Sequence, residues 1–209
     1  IALIMIPHNS VFQRLQARLP LHRREWSSDL DAVSRPQAAV LVTLSDSPQP
    51  EVLLGRRAMH LPLHPGEVAF PGGKREVEDA SPWATAIREA VEEVGLDAQQ
   101  VSPLGELPPL VTRTGFEVYP CIARVPAGLA LVVDPGEFDS LFQLQLDTFA
   151  DPALFRLEEM SDGERSRMVP HYQVEQDNIW GVTAAVLAQL ANVAYDAGLD
   201  LQRDWKLTP

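Results

Sequence analysis

Residues 88–96 read Arg-Glu-Ala-Val-Glu-Glu-Val-Gly-Leu, and they are the most informative stretch of the chain. On a helix, side chains three and four positions apart are neighbours, so Glu89 lies beside both Glu92 and Glu93. Three carboxylates on one patch repel each other, so we expect a positively charged group beside them. Arg88 can hold one of them, and hard divalent cations such as Mg²⁺ take carboxylate oxygens as ligands. The alternative is a solvated acidic face, which three glutamates alone would favour.

The residues on either side define the helix that carries these glutamates. Ser81 can cap the free N–H groups of a helix start, and Pro82 is tolerated at the first helical position. Gly95 is a typical helix stop. Residues 70–73, Phe-Pro-Gly-Gly, form a turn before the helix. The pattern therefore predicts a glycine turn followed by an acidic helix.

Elsewhere the apolar pattern predicts both strands and helices. We predict strands at 37–44, 51–57, 118–125, 129–133 and 168–174, a strand running into a turn at 141–149, and helices at 11–19 and 179–197. The first two strands form a hairpin because 45–48 is a turn signal, and 58–67 is a loop rich in helix breakers. Alternating strands and helices predict a sandwich of the α/β or α+β type with a mixed sheet.

Length and charge narrow the class of protein. The 209 residues fit one domain with appended helices, and we place an N-terminal helical segment at 1–36, the main domain at 37–197 and a tail at 198–209. A net charge of −12 argues against a non-specific nucleic-acid binder and against docking on anionic membranes. The apolar residues 1–6 are too few to span a bilayer. The single cysteine, Cys121, cannot form an internal disulfide, and we expect a buried side chain and a cytoplasmic protein.

The glutamate helix and its flanks resemble the signature of the Nudix family. That signature is a glycine, five residues, an acidic residue, seven residues, and then Arg-Glu-apolar-any-Glu-Glu-any-Gly-apolar. Residues 88–96 match the second half fully, and Gly73 is followed after five residues by Asp79, where glutamate is usual. Eight residues, not seven, separate Asp79 from Arg88. The resemblance implies the Nudix fold, an α/β/α sandwich with a central mixed sheet.

Residues 53–74 resemble one branch of that family, the coenzyme A pyrophosphatases. The branch carries the same lengthening and often has aspartate at the position of Asp79. Its upstream motif is Leu-Leu-Thr-any-Arg-Ser/Ala, three residues, Arg, three residues, Gly, three residues, Phe-Pro-Gly-Gly. The matching positions are Arg57, Ala58, Gly66 and 70–73. Two positions depart from the motif, with Gly55 for the threonine and Pro62 for the second arginine. Residues 179–184 are also similar to the branch.

The Nudix resemblance implies roles for the residues of the signature. The implied ligands of Mg²⁺ or Mn²⁺ are the Glu89, Glu92 and Glu93 carboxylates and the Gly72 backbone carbonyl. Arg88 orients the carboxylates. A general base must lie near the attacking water, and Glu92 and Glu137 are equal candidates.

Basic residues are expected to bind the substrate. Arg57 is the leading candidate because it matches the branch motif, and we expect it to hold the 3′-phosphate of coenzyme A. The weaker candidates are Arg56, Lys74 and Arg113. For each of these weaker candidates, the alternative interpretation is a solvent-exposed charge with no binding role.

The resemblance implies Mg²⁺- or Mn²⁺-dependent hydrolysis of coenzyme A or an acyl derivative to a 3′-phosphorylated adenosine nucleotide and a phosphopantetheine. Other Nudix substrates, such as ADP-ribose, NADH or a dinucleoside polyphosphate, are the first alternative. The second is a catalytically idle domain that senses a nucleotide, which the intact glutamates disfavour. The expected partner is a small-molecule substrate rather than a nucleic acid or a membrane, and a homodimer is compatible with the sequence.

Overall fold

The computed structural model describes residues 10–21, 25–27, 33–161, 165–202 and 206–207. These residues include helices α1 (Ser10–Arg18), α2 (Pro82–Val94) and α3 (Gly181–Tyr195). The strands are β1 (Gln37–Ser45), β2 (Glu51–Arg57), β3 (Val68–Ala69), β4 (Gly72–Lys74), β5 (Ser102–Glu106), β6 (Leu110–Val111), β7 (Glu117–Val125), β8 (Phe138–Gln145), β9 (Phe155–Ser161), β10 (Arg165–Val174), β11 (Asp177–Trp180) and β12 (Lys206–Leu207). The apolar residues 1–6, and parts of the expected N-terminal segment and tail, lie outside the described residues.

Eight strands form one mixed sheet in the order β3-β2-β1-β7-β5, with β4 paired to β1, β6 to β7 and β8 to β2. The central pair, β1 and β7, is parallel, and Leu41 lies opposite Cys121. The other pairs, including the β1–β2 hairpin, are antiparallel. The predicted central mixed sheet is therefore confirmed.

Helices cover both faces of this sheet. Successive residues of a strand point to opposite faces, so Leu41 faces the core shared with α2, whereas Val42 and Leu44 face the core shared with α1 and α3. The three layers make the predicted α/β/α sandwich. Cys121 is fully buried in the α2 core, as expected. None of the helices in the described ranges has the length and apolar character needed to cross a membrane.

One of the predicted elements is wrong, and a second has different bounds. Residues 129–133 form no strand; they run along the end of α2, where the Val132 N–H donates to the Val94 carbonyl at 3.0 Å. Such contacts satisfy helix-end carbonyls that have no partner within the helix. The predicted helix 179–197 begins only at Gly181, because Ile179 and Trp180 belong to β11.

A second sheet of four strands, β9 to β12, was not predicted as a unit. Its central strand β10 pairs with β9 and β11, and α3 follows β11 directly. The buried Tyr172 of β10 belongs to the α1–α3 core and donates its hydroxyl to the Phe149 carbonyl at 2.8 Å. The second sheet therefore packs onto the main core.

Candidate active site and metal-binding residues

Helix α2 starts and stops where its sequence predicts. The Ser81 hydroxyl accepts a hydrogen bond from the Ala84 N–H at 3.2 Å, and Pro82 is the first helical residue. Gly95 ends the helix with a left-handed φ of 64°, a conformation that suits glycine. The buried residues Ala86 and Ala90 attach α2 to the sheet, which holds the glutamates beside β4.

The two glycines of β4 let the backbone approach the glutamates closely. The Gly72 N–H donates to Glu93 Oε2 at 2.8 Å. A Cβ atom at Gly73 would overlap the carboxylate of Glu89. Any larger residue at position 73 would therefore push Glu89 away. The close contact with Glu89, and not only the turn, thus explains why glycine is needed at this position.

Burial and nearby negative charges make the carboxylate of Glu93 hard to ionise. Its pKa is raised to about 8, first by burial and then by the negative charges of Glu89 and Glu137. The Gly72 N–H and the charge of Arg57 act in the opposite direction. Burial also raises the pKa of Glu89, although Arg88 opposes that shift. Glu93 is only 5% exposed, so keeping its carboxylate charged costs free energy unless a cation lies beside it.

Arg88 lies at the centre of the acidic group and holds several carboxylates at once. Its Nε and Nη2 atoms donate to the two oxygens of Asp79 at 3.2 and 3.0 Å. Its Nη1 atom lies 3.1 Å from Glu89 Oε1 and 3.3 Å from Glu92 Oε2. Arg88 therefore contacts Asp79, Glu89 and Glu92 together, and its orienting role stays a prediction.

Asp79 accepts hydrogen bonds from several groups around the acidic helix. From the sequence alone, it was noted only as a departure from the Nudix signature. It is 6% exposed and accepts hydrogen bonds from the Glu76 N–H at 2.9 Å and the Thr85 hydroxyl at 2.6 Å, in addition to Arg88. Burial alone would raise its pKa, but these bonds and the positive charge of Arg88 lower it. The signal was present in the signature, since Asp79 occupies its first acidic position.

Arg57, the last residue of β2, and Glu137, in the turn before β8, come to the same site. Arg57 Nη2 lies 3.8 Å from Glu137 Oε2, and the Glu137 carbonyl accepts the Ala58 N–H at 2.9 Å. The Arg57 Nε atom is buried and has no hydrogen-bond partner within the described structure. The Asp134 N–H donates to the Glu93 carbonyl at 2.8 Å and the Glu137 N–H donates to the Asp134 carbonyl at 3.0 Å, so the turn that carries Glu137 lies against the end of α2.

The other basic candidates lie elsewhere. Arg56 forms a bidentate ion pair with Asp177, in which Nη1 and Nη2 donate to Oδ1 and Oδ2 at 2.7 and 2.9 Å. The Arg56 guanidinium also lies over the ring of Phe142. Arg113 is exposed in the turn between β6 and β7. The remaining candidate, Lys74, is exposed and lies 5.4 Å from the ring centre of Phe116. The structure thus brings only one of the four predicted cations, Arg57, next to Glu93 within the described residues.

The donor set fits a hard divalent cation. Carboxylate oxygens and a backbone carbonyl are the ligands that Mg²⁺ prefers, and a cation would offset the repulsion among Glu89, Glu93 and Glu137. Among the described residues, no three Asp, Glu, His or Cys side chains are already gathered as a metal cage. Glu92 in particular is 58% exposed, and Arg88 Nη1 lies 3.3 Å from one of its two carboxylate oxygens, Oε2.

The raised pKa of Glu93 predicts how the metal-free protein responds to pH. Because the folded state binds this proton more tightly than the unfolded state, the contribution of Glu93 to stability is fully present below pH 4.5 and is lost as the pH rises towards about 8. In chelator, we expect the free energy of unfolding to fall by roughly a few kcal/mol over that range. Glu93→Gln should remove most of this fall, and millimolar Mg²⁺ should raise the melting temperature of the wild type at pH 8.

The measurement is thermal unfolding across pH, with the exposed residue Glu78 replaced by glutamine as the matched control. The control should keep the wild-type pH profile. Identical profiles for the wild type and Glu93→Gln would contradict a charged, self-repelling site around Glu93.

Comparison with known proteins finds matches in sequence and in fold. The model of the NUDIX domain matches residues 35–172. A Photorhabdus laumondii protein named "Uncharacterized Nudix hydrolase NudL" is 36% identical over 90% of this chain and 97% of its own length. A protein of the same name from Yersinia enterocolitica is 38% identical over 74% of this chain and 79% of its own. The crystal structure of a Nudix hydrolase from Alicyclobacillus acidocaldarius, 20% identical, superposes with a TM-score of 0.51 over 79% of this chain and 95% of its own.

Proposed function

The chain belongs to the NUDIX domain family, and from that premise we propose that it hydrolyses the diphosphate bond of coenzyme A or of its acyl derivatives. At the coarser level it is a Nudix hydrolase, a pyrophosphohydrolase of nucleoside diphosphate derivatives. The observation that carries the proposal is the convergence of Glu89, Glu93, Glu137 and Arg57 on one site. The substrate itself is proposed from the resemblance of residues 53–74 to the coenzyme A branch.

A diphosphate resists hydrolysis because its negatively charged oxygens repel a nucleophile. Arg57 offers a positive charge beside Glu93, and its buried Nε has no hydrogen-bond partner among the described residues. We therefore place Arg57 against the diphosphate rather than against the 3′-phosphate that the sequence suggested. An arginine there would neutralise charge that develops on the phosphate oxygens.

Nudix enzymes generally use divalent ions such as Mg²⁺ or Mn²⁺. Glu89, Glu92, Glu93 and the Gly72 carbonyl would hold the ions, which supply charge neutralisation and a more acidic water. Arg88 keeps Glu89 and Glu92 oriented through the ion pairs described above.

The reaction needs a general base for the attacking water. As the water oxygen bonds to phosphorus, the bridging phosphorus–oxygen bond breaks and the water proton passes to a carboxylate. Glu137 fits this role better than Glu92, because Glu137 lies beside Arg57 and Glu93, whereas Glu92 is bonded to Arg88. The products would be a 3′-phosphorylated adenosine nucleotide and a phosphopantetheine.

The substrate proposal predicts a ranking of activities. With Mg²⁺ or Mn²⁺ supplied, we expect a higher kcat/KM for coenzyme A than for ADP-ribose, NADH or a dinucleoside polyphosphate. The 3′-phosphate distinguishes coenzyme A from dephospho-coenzyme A, and a charge-assisted contact to it is worth roughly a tenfold preference. A substrate screen with product identification by mass spectrometry measures the ranking.

Two results would overturn the assignment of coenzyme A. Equal kcat/KM for coenzyme A and dephospho-coenzyme A, together with a preference for ADP-ribose, would leave only the general Nudix activity. Nucleotide binding without turnover of any diphosphate would instead favour a sensor.

A further inference from the structure

A cavity of about 300 Å³ lies where the end of β4 meets the start of β1. We call it the basic cavity, and its wall includes Arg35, Pro36, Gln37, Lys74, Arg75 and Phe116. Three of these side chains are cations, and no Asp or Glu is among the described residues that line it. In a chain with 17 basic and 29 acidic residues, such a wall forms a local positive site within a negative protein.

Arg75 is fixed in position before any ligand arrives. Its Nη1 donates to Gln37 Oε1 at 2.8 Å, its Nη2 donates to the Ser27 carbonyl, and its guanidinium lies 4.8 Å from the ring centre of Trp26. Its Nε atom is buried and has no hydrogen-bond partner in the described structure. A preorganised cation loses little freedom when an anion binds.

Lys74 and Arg35 complete the positive wall from two separate segments. Both side chains are exposed, and the Lys74 ammonium lies 5.4 Å from the centre of the Phe116 ring. Ammonium and guanidinium groups are the usual partners of phosphate, the first as a point charge and the second through paired N–H groups. The volume is at the lower end of ligand pockets and suits a phosphate with an attached sugar.

The basic cavity adjoins the glutamate site along the backbone. Lys74 directly follows Gly73, whose Cα faces the Glu89 carboxylate, and the Lys74 carbonyl accepts a hydrogen bond from Arg88 Nη2 at 3.1 Å. A ligand whose diphosphate lies at the glutamates could therefore place a second phosphate, one sugar away, among these cations.

We propose that the basic cavity binds a phosphate monoester on the ribose of the substrate. This inference rests on the proposed function, in which the monoester is the 3′-phosphate of coenzyme A. In this assignment, the 3′-phosphate contacts Arg35, Lys74 and Arg75, whereas Arg57 contacts the diphosphate.

Binding to the Mg²⁺-loaded protein tests the site without turnover. Adenosine 3′,5′-bisphosphate and AMP lack a diphosphate bond, so calorimetry can compare their affinities directly. We expect the bisphosphate to bind about tenfold more tightly. The Lys74→Gln and Arg35→Gln variants should each lose part of this preference, and the double variant should lose nearly all of it.

Arg124→Gln is the matched control, because Arg124 is a half-buried cation at the other end of β7, 3.9 Å from Asp46. It should keep the full preference. Equal affinities for the two nucleotides, or a preference that survives in the double variant, would overturn the proposal. Inorganic phosphate should bind much more weakly than the bisphosphate; equal binding would identify a site for free phosphate and overturn the ribose-linked assignment.

Kinetics separate a failure of this inference from a failure of the proposed function. Lys74→Gln should narrow the ratio of kcat/KM between coenzyme A and dephospho-coenzyme A, whereas Arg57→Ala should lower both and leave their ratio unchanged. Coenzyme A cleavage without a bisphosphate preference would reject the basic cavity and keep the function. A bisphosphate preference that the variants abolish, without coenzyme A cleavage, would keep the phosphate site and reject the substrate.

Discussion

Glu93→Gln is expected to lower kcat/KM by about a hundredfold or more at saturating Mg²⁺, since loss of a metal ligand removes several kcal/mol of transition-state stabilisation and each 1.36 kcal/mol is tenfold. The amide keeps an oxygen that can accept the Gly72 N–H, which the carboxylate accepts at 2.8 Å. The variant should therefore fold and test the charge alone. Initial rates on the best diphosphate substrate, over a range of Mg²⁺ concentrations, measure the effect.

The control for this experiment is Glu78→Gln, which removes a negative charge from an exposed residue outside the acidic group. It should retain the wild-type rate. Activity of the wild type should also disappear in excess chelator and return with Mg²⁺ or Mn²⁺. Full activity in chelator, or a Glu93→Gln variant as active as the control, would reject the role of the glutamates in holding a metal.

The parts of the fold that local chemistry determines were predictable from the sequence. Ser81, Pro82 and Gly95 mark the ends of α2 without help from the rest of the protein. The same holds for β1 and β2, whose apolar runs flank a turn signal, and the structure confirms their hairpin. In the site, helical spacing predicted Glu89 beside both Glu92 and Glu93, but it did not predict that Glu93 is buried while Glu92 is 58% exposed.

The parts that depend on tertiary contacts were not predictable in the same way. Residues 129–133 are apolar because they cover the end of α2, and a short apolar run does not distinguish this role from a strand. Strand β9 escaped prediction because most of its residues are exposed and polar, so it lacks a clear apolar alternation.

The positions of the basic residues show the same limit within the site. Arg56 and Arg57 are adjacent in sequence, yet one pairs with Asp177 and the other faces Glu137. Neighbours on a strand point to opposite faces, and the sequence does not state which face carries the acidic group. The basic cavity needs residues 35–37 and 74–75 together, and only the β1–β4 pairing joins them.

Asp79→Ala is expected to lower the free energy of unfolding by about 1–3 kcal/mol, because it leaves buried hydrogen-bond donors without their acceptor while Arg88 keeps Glu89 and Glu92 as partners. The substitution removes the acceptor of two hydrogen bonds from Arg88 and one each from the Thr85 hydroxyl and the Glu76 N–H. Asp46→Ala is the control, since that aspartate is 57% exposed and lies 3.9 Å from its partner Arg124; it should cost less than about 1 kcal/mol.

The Asp79 pair also predicts a loss of stability in acid and a loss of activity at neutral pH. Because the folded-state pKa of Asp79 lies below its ordinary value of 3.8, the contribution of Asp79 to the free energy of unfolding is present above that pH and is lost as the pH falls through the folded pKa.

Without Asp79, Arg88 would be free to bind Glu89 and Glu92 more tightly and compete with the metal. Chemical denaturation and initial rates of Asp79→Ala, Asp79→Glu and Arg88→Met, singly and combined, measure the coupling between Asp79 and Arg88. Fully additive losses in the Asp79→Ala/Arg88→Met double variant would show that the two residues act independently, and would contradict the role of Asp79 in positioning Arg88.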